Sequence, residues 1–317
     1  MPTTKVPASR MVDHNIGSYC FRNKIINGDM RIDQRNAGNV YTNTNGTANY
    51  GSCDRWLSFS QGSNITVQRV SGNSFGQPFP YAAIRLTGAA NNTNANINQR
   101  IEAANCYDLA GQTVTISFRV VSNTTLTNCY IGGYTATTTD TWNSTEVSYA
   151  PGTRTFTSTT TPATITHTFT MPNILNGYEP IIGVNGLLAG QTIDITNVQL
   201  EVGPTATPFE YRPIGTELAL CQRYYFRLQP LPVYRAGSAG WTGENWFLPV
   251  SMRIIPAISN LITEGTANRI RISDSPSGFT TNYFTRATTD MVQIIRTEAS
   301  ADGTYITCTS ADVSAEL

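Results

Sequence analysis

The chain has 317 residues, and its 21 basic and 21 acidic side chains cancel to a formal charge of zero. At ~100–200 residues per domain the length suggests about two domains, each able to bury a core. The neutral balance favours neither a nucleic-acid partner nor insertion at an anionic membrane, and only 13% of residues are charged against a usual ~25%, so Thr, Asn, Ser and Gly supply the surface.

In chain order, residues 1–23 open with "MPTTKVPASRMVDHNIGSY", a polar arm without periodicity that is expected to gain its order from a partner. It lacks the apolar core of a signal peptide, and no run of ~18 apolar residues occurs anywhere. The expectation is a soluble chain made in a cytosol. The six cysteines are scattered with no CxxC pair, which argues for reduced, buried thiols rather than zinc or thioredoxin chemistry.

Asn27-Gly28-Asp29 reads either as a tight turn or as a cation site at a sandwich edge, completed by backbone oxygens and Asp194. Arg31, just beyond, argues against the cation. The strands follow: "DRWLSFS", "NITVQRV", "YAAIRLT", "TVTISFRV", "TITHTFTM" and "YEPIIGV". In "TVTISFRV" the residues Val114, Ile116, Phe118 and Val120 face one way, which predicts a sheet with one buried face. Between the strands, "NTNGTANYGS" and "GAANNTNAN" read as turn-rich connections. Short strands between Gly/Asn turns predict an all-β antiparallel sandwich or jelly roll over residues 24–213.

The last strand of that block, "QTIDITNVQLEV", carries apolar residues at Ile193 and Ile195, then at Val198, Leu200 and Val202. The phase slips at Thr196-Asn197, and a β-bulge there would keep both halves facing the core. Pro204, Pro208 and Pro213 then stop strand pairing, so "LEVGPTATPFEYRP" marks an extended exit. "GTELALCQRYY" is the best helix candidate, with Thr216 as its cap, and leads to a second β-domain over 214–317.

Signs of catalysis are few. There is no GxSxG, HExxH or P-loop pattern, and His167 alternates with threonines in a strand. The expectation is a protein that is not an enzyme and needs no cofactor. Aromatic side chains can stack on sugar faces, and Tyr134, Trp142, Trp241 and Trp246 lie in or beside polar, Gly-rich stretches. They are the candidates for glycan binding or for contacts between protomers, while Trp56 in "DRWLSF" belongs to the core pattern.

Three segments together carry a resemblance: "NKIINGDMRIDQRNAG", "CDRWLSF" and "ITNVQLEVGPTATPFEYRPIGTELALCQRYY". This combination resembles the tailed-bacteriophage fibre and minor virion structural proteins, whose jelly-roll domains are similar to carbohydrate-binding modules. The resemblance spans residues 24–225, and the ending "ITCTSADVSAEL" extends it to the whole chain. It implies a homotrimeric virion protein, assembled in the host cytoplasm, whose residues 1–23 dock to other virion proteins. The implied role is a tail, neck or head fibre that binds host-surface glycan. A purely structural capsid decoration is the alternative, and a polysaccharide depolymerase a third. Modules with this opening can hold a structural calcium near the first strand. Asp29 and Asp194 would be its ligands here, but Met30-Arg31 departs from the acid that such a site uses, so no metal is expected.

Overall fold

The computed structural model describes residues 21–76, 81–142, 147–148, 154–228, 234–235, 242–263, 266–267, 270–272, 279–280, 283–296, 305–307 and 310–317. Its first part is built from thirteen strands: β1 (Tyr41–Asn43), β2 (Ala48–Asn49), β3 (Leu57–Gln61), β4 (Ile65–Ser71), β5 (Ala82–Thr87), β6 (Asn94–Asn98), β7 (Thr113–Ser122), β8 (Leu126–Thr135), β9 (Val147–Ser148), β10 (Arg154–Ser158), β11 (Ala163–Thr170), β12 (Tyr178–Val184) and β13 (Thr192–Val202). They form two antiparallel sheets, one ordered β1-β4-β5-β13-β7-β11 and the other β10-β8-β12-β6-β3-β2, with β9 on β8.

The sheets face each other across one apolar core. Val67, Ile84, Leu86, Val114, Ile116, Phe118 and Ile195 come from the first sheet, and Ala95, Ile97, Ile131, Phe156, Ile182 and Val184 from the second. Phe118 and Phe156 meet edge-on across the gap, with ring centroids 5.4 Å apart. The expected all-β sandwich is therefore present. The opposite face of β7 is buried as well, because Thr115 and Ser117 are covered. The Thr115 hydroxyl donates to the carbonyl of Gly203 at 2.7 Å, in the segment leaving β13. A polar face under a covering loop alternates like a solvated one, so alternation alone does not separate the two.

The phase slip in β13 is a bulge: the register against β7 shifts between Thr196 and Gln199, and Asn197 adopts φ 52°. Ile193, Ile195, Val198 and Leu200 all reach the core as a result, while Val202 at the strand end is exposed. The Pro-rich exit then replaces ladder bonds with side chains. Glu201 accepts from the Thr207 N–H at 2.8 Å and the Thr207 hydroxyl at 2.6 Å, and Gln199 Oε1 accepts from the Glu210 N–H at 2.8 Å. Glu210 in turn accepts the backbone N–H groups of Arg22 and Asn23. Residues 1–20 of the expected arm lie outside the described residues.

The helix spans Ile214–Gln222, but Thr216 does not cap it. Pro213 is the cap, and its carbonyl accepts the Glu217 N–H at 3.1 Å. The proline φ of −53° already suits entry into a helix, so the helix starts three residues earlier than the Thr216 cap predicts. Beyond it, Tyr225–Leu228, Ser310–Ser314, Ala257–Thr263 and Thr266–Ala267 make a four-stranded sheet, and Thr242–Phe247, Met291–Arg296 and Tyr283–Ala287 make a three-stranded one. Tyr234–Arg235, Tyr305–Thr307, Ile270–Ile272 and Phe279–Thr280 make another four-stranded sheet. The cysteines at 53, 106, 129 and 221 are free and buried; Cys20 and Cys308 lie outside the described residues.

Entry and exit of the sandwich are tied by buried charge. Arg212 pairs with Glu217 at 3.2 Å and donates to the carbonyls of Ile25 and Asn23, while Glu217 accepts the Asn27 N–H. Gly28 sits so close to the Val198 carbonyl that a Cβ has no room. Removing one partner of such a buried pair costs ~3–5 kcal/mol. Arg212→Ala is therefore expected to lower unfolding free energy by about that much in a denaturant titration, whereas Tyr211→Ala at the half-exposed neighbour stays within ~1 kcal/mol. Burial also pushes the Asp54 carboxyl up to about 6, against hydrogen bonds from Gln34. The folded state then holds a proton that the unfolded chain releases, so stability falls as pH rises from about 4 to 6, by ~3 kcal/mol for a two-unit shift. Asp54→Asn should flatten that slope when denaturant midpoints are compared across this range.

Candidate functional site

The outer face of the second sheet forms an open groove of about 770 Å³. Cross-strand register builds it row by row. Tyr130 on β8 lies opposite Gly183 on β12, Gly183 opposite Asn96 on β6, Asn96 opposite Phe59 on β3, and Phe59 opposite Ala48 on β2. Gly183 is the position that allows this row, since a Cβ there would come within 2.6 Å of the Tyr130 ring and 2.8 Å of Asn96. The Tyr130 ring can lie over β12 only above a residue without a side chain.

Strand β6 supplies the polar floor. Its sequence, Asn-Ala-Asn-Ile-Asn, buries Ala95 and Ile97 in the core and turns Asn94, Asn96 and Asn98 to the groove. Asn94 Nδ2 donates to the Tyr130 hydroxyl at 2.8 Å and to Asn185 Oδ1 at 2.9 Å. Asn96 Nδ2 donates to Asn94 Oδ1 at 2.8 Å and to the same hydroxyl at 3.1 Å. Burial pushes the Tyr130 phenol above its ordinary range, so it stays a neutral donor and acceptor.

At the other end Glu179 accepts from Asn98 and, at 3.2 Å, from Arg100 Nε. The Arg100 guanidinium lies 5.5 Å from the centre of the Trp142 ring. Asn96 Oδ1, Asn98 Oδ1 and Trp142 Nε1 are buried with no hydrogen-bond partner among the described residues. A face of amides, one buried ion pair and partly exposed aromatic rings can bind a polyhydroxylated ligand by hydrogen bonds and ring stacking.

Of the residues singled out in the sequence, Tyr134 and Trp142 both line this groove, with Tyr134 opposite Glu179 across β8 and β12. Trp246 is elsewhere, packed partly buried against the C-terminal core of Leu228, Met252, Val292 and Val313. Trp241 lies outside the described residues. Asp29 pairs with Arg31, and both Asp194 oxygens accept from Arg85, at 2.7 and 2.8 Å, so each carboxylate already faces a guanidinium. Sequence reading missed Asn94, Asn96 and Asn98 because "GAANNTNAN" scores as turn, although the period-2 placement of Ala95 and Ile97 marks a strand. A smaller cavity of about 320 Å³ lies beside Lys24, Arg55 and Arg212. Its charges are paired within the chain, Lys24 with Asp108, Arg55 with Glu316 and Arg212 with Glu217.

No protein-family profile matches the chain, and no curated protein matches it in sequence. Among solved structures, it is similar to the enzymatically active domain of tailspike protein 4 of bacteriophage CBA120, at 16% identity over 58% of this chain and 22% of that one, with a TM-score of 0.36. A putative sugar-binding protein from Bacteroides thetaiotaomicron is 16% identical over 57% of this chain and all of its own, with a TM-score of 0.39. The carbohydrate-binding module TmCBM61, solved with β-1,4-galactotriose, is 11% identical over 57% of this chain and 99% of its own, with a TM-score of 0.34. Similarity at this level carries no information about what this chain binds.

The row through Gly183 makes a direct prediction. Gly183→Ala forces Tyr130 off β12 and breaks its bonds to Asn94 and Asn96, at an overpacking cost of ~1–3 kcal/mol. The measurement is the denaturation midpoint together with the amide side-chain NMR signals of the two asparagines, which should both shift.

Proposed function

We propose that this chain is a glycan-binding module that holds its ligand without cleaving it. The observation that carries this reading is the groove, in which Asn94, Asn96, Asn98, Gln61 and Asn185 line one surface with Tyr130, Tyr134 and Trp142. Glycoside hydrolysis generally uses two carboxyl groups ~5–10 Å apart. Among the described residues lining the groove, Glu179 is the one carboxylate, and it is held by Asn98 and Arg100. That arrangement favours binding over hydrolysis.

The setting we propose is a homotrimeric fibre of a tailed-bacteriophage particle, in which several weak sites engage a host surface together. This part rests on the resemblance of the segments around Asn27, Trp56 and Val198–Tyr225. Those segments themselves bind nothing in this reading, since their polar groups are spent on closing the sandwich. Light scattering should give three times the mass of the chain, and immunogold labelling should place the protein on projecting fibres of the particle.

The binding reading is tested with host-surface polysaccharide in titration calorimetry. Trp142→Ala and Asn96→Ala should each weaken binding at least tenfold, ~1.4 kcal/mol, without moving the denaturation midpoint of the C-terminal sheets. No reducing ends should appear on prolonged incubation. Unchanged affinity in both variants would remove the groove as the site.

A further inference from the structure

We propose that the groove selects uncharged glycan and rejects acidic glycan, a conclusion that rests on reading the groove as the glycan site. Arg100 and Glu179 are the only charged residues lining it among those described, and they face each other at 3.2 Å with side chains 15% and 2% exposed. The guanidinium is committed in other directions too. Arg100 donates to the main-chain oxygen of Leu317 at 2.7 Å and lies over Trp142.

A uronic acid carboxylate, a sulfate or a phosphodiester entering the groove needs a cation to replace its lost hydration. Arg100 is already engaged, its Nε on Glu179 and its Nη1 on Leu317, so its charge is largely neutralised, and turning it wholly toward a ligand anion would strand a buried carboxylate. The remaining polar lining is amide and phenol, from Gln61, Asn94, Asn96, Asn98, Asn185 and Tyr130, and these groups both donate and accept. A sugar hydroxyl does the same, so either orientation of each amide finds a partner. Asn96 Oδ1 and Asn98 Oδ1 are buried acceptors without a donor. A hydroxyl offers one, and an ionised oxyanion does not. The same logic excludes a strongly cationic polymer, because Glu179 is already neutralised.

The experiment uses the full chain on an array of neutral, uronic-acid-bearing, sulfated and amino-sugar-bearing bacterial glycans. The best neutral ligand is then titrated beside its C6-carboxylated derivative. The expected result is at least tenfold weaker binding of the carboxylated polymer, and an affinity for the neutral one that does not change with added salt, as screening acts only on charge. Glu179→Gln, which releases the guanidinium, should narrow the gap at least fivefold by admitting the carboxylated polymer. Preferential, salt-sensitive binding of acidic glycan that is lost in Trp142→Ala would overturn the selectivity while leaving the groove as a glycan site. Binding of array glycans that ignores Trp142→Ala and Asn96→Ala, or no binding across the array, would end both the groove reading and the selectivity with it.

Discussion

Arg212 is the side chain on which the sandwich closes. Its guanidinium is nearly fully buried, and it meets the Glu217 carboxylate and the carbonyls of Asn23 and Ile25 at once. Burying either charge alone would be strongly unfavourable, so the pair forms only if the helix carrying Glu217 and the entry segment carrying Asn23 arrive together. Around it Asn23 bonds to the bulge and the residues just after it, donating to the Val198 carbonyl at 3.0 Å and accepting the Leu200 N–H at 3.0 Å. Asn27 bridges further, to Ile32 and Asp54, and its carbonyl receives the Trp56 indole N–H at 2.9 Å. The first and last segments of the sandwich, almost 190 residues apart in sequence, are therefore one hydrogen-bonded body.

That closure frees the second sheet from stabilising itself through its outer face. The core contributed by Ala95, Ile97, Ile131, Ile182 and Val184 lies on the inner side, and the outer side can carry asparagines with low strand propensity. Asparagine in the middle of a strand is unfavourable unless its amide is engaged. Here the amides of Asn94 and Asn96 engage one another and Tyr130, so the cost is met within the groove.

What could be read from the chain follows the same division. β7 and β13 were legible because apolar residues drive their periodicity, and even the bulge at Asn197 showed as a phase slip. β6 was not, because its signal is carried by only Ala95 and Ile97 between three residues that read as turn formers. Tyr134 and Trp142 could be picked out as aromatic residues in polar surroundings, but their meeting with Glu179 depends on the pairing of β8 with β12 and on the chain returning through Asp140 to Ala103, whose N–H donates to the Asp140 carboxylate at 2.8 Å. Trp246 had the same local character and packs on a different core. Local composition marks an aromatic residue as exposed or loop-borne, and only register decides which surface it joins. The segment with three prolines drew notice as a signature, and its residues prove to be bound to the chain itself. A strongly patterned polar segment is as readily a closure as a recognition surface.

The groove and the C-terminal residues share one side chain. Arg100 faces Glu179 and Trp142 on one side and the main chain of Leu317 on the other. Glu316 is gripped beside it by Arg35 at 2.8 Å and by the buried Arg55, whose guanidiniums stack 3.7 Å over Tyr225 and 3.5 Å over Tyr224. Arg253 adds a bond to the Ala315 carbonyl at 3.1 Å. Residues 315–317 thus act as a strap laid across the base of the sandwich, and four arginines hold it through one glutamate and its neighbouring carbonyls. Because the guanidinium is one rigid plane, holding its Nη1 on the strap sets the direction in which its Nε reaches Glu179. The position of Glu179, and with it the polar end of the groove, is determined in part by residues that lie beyond the last strand of the C-terminal sheets.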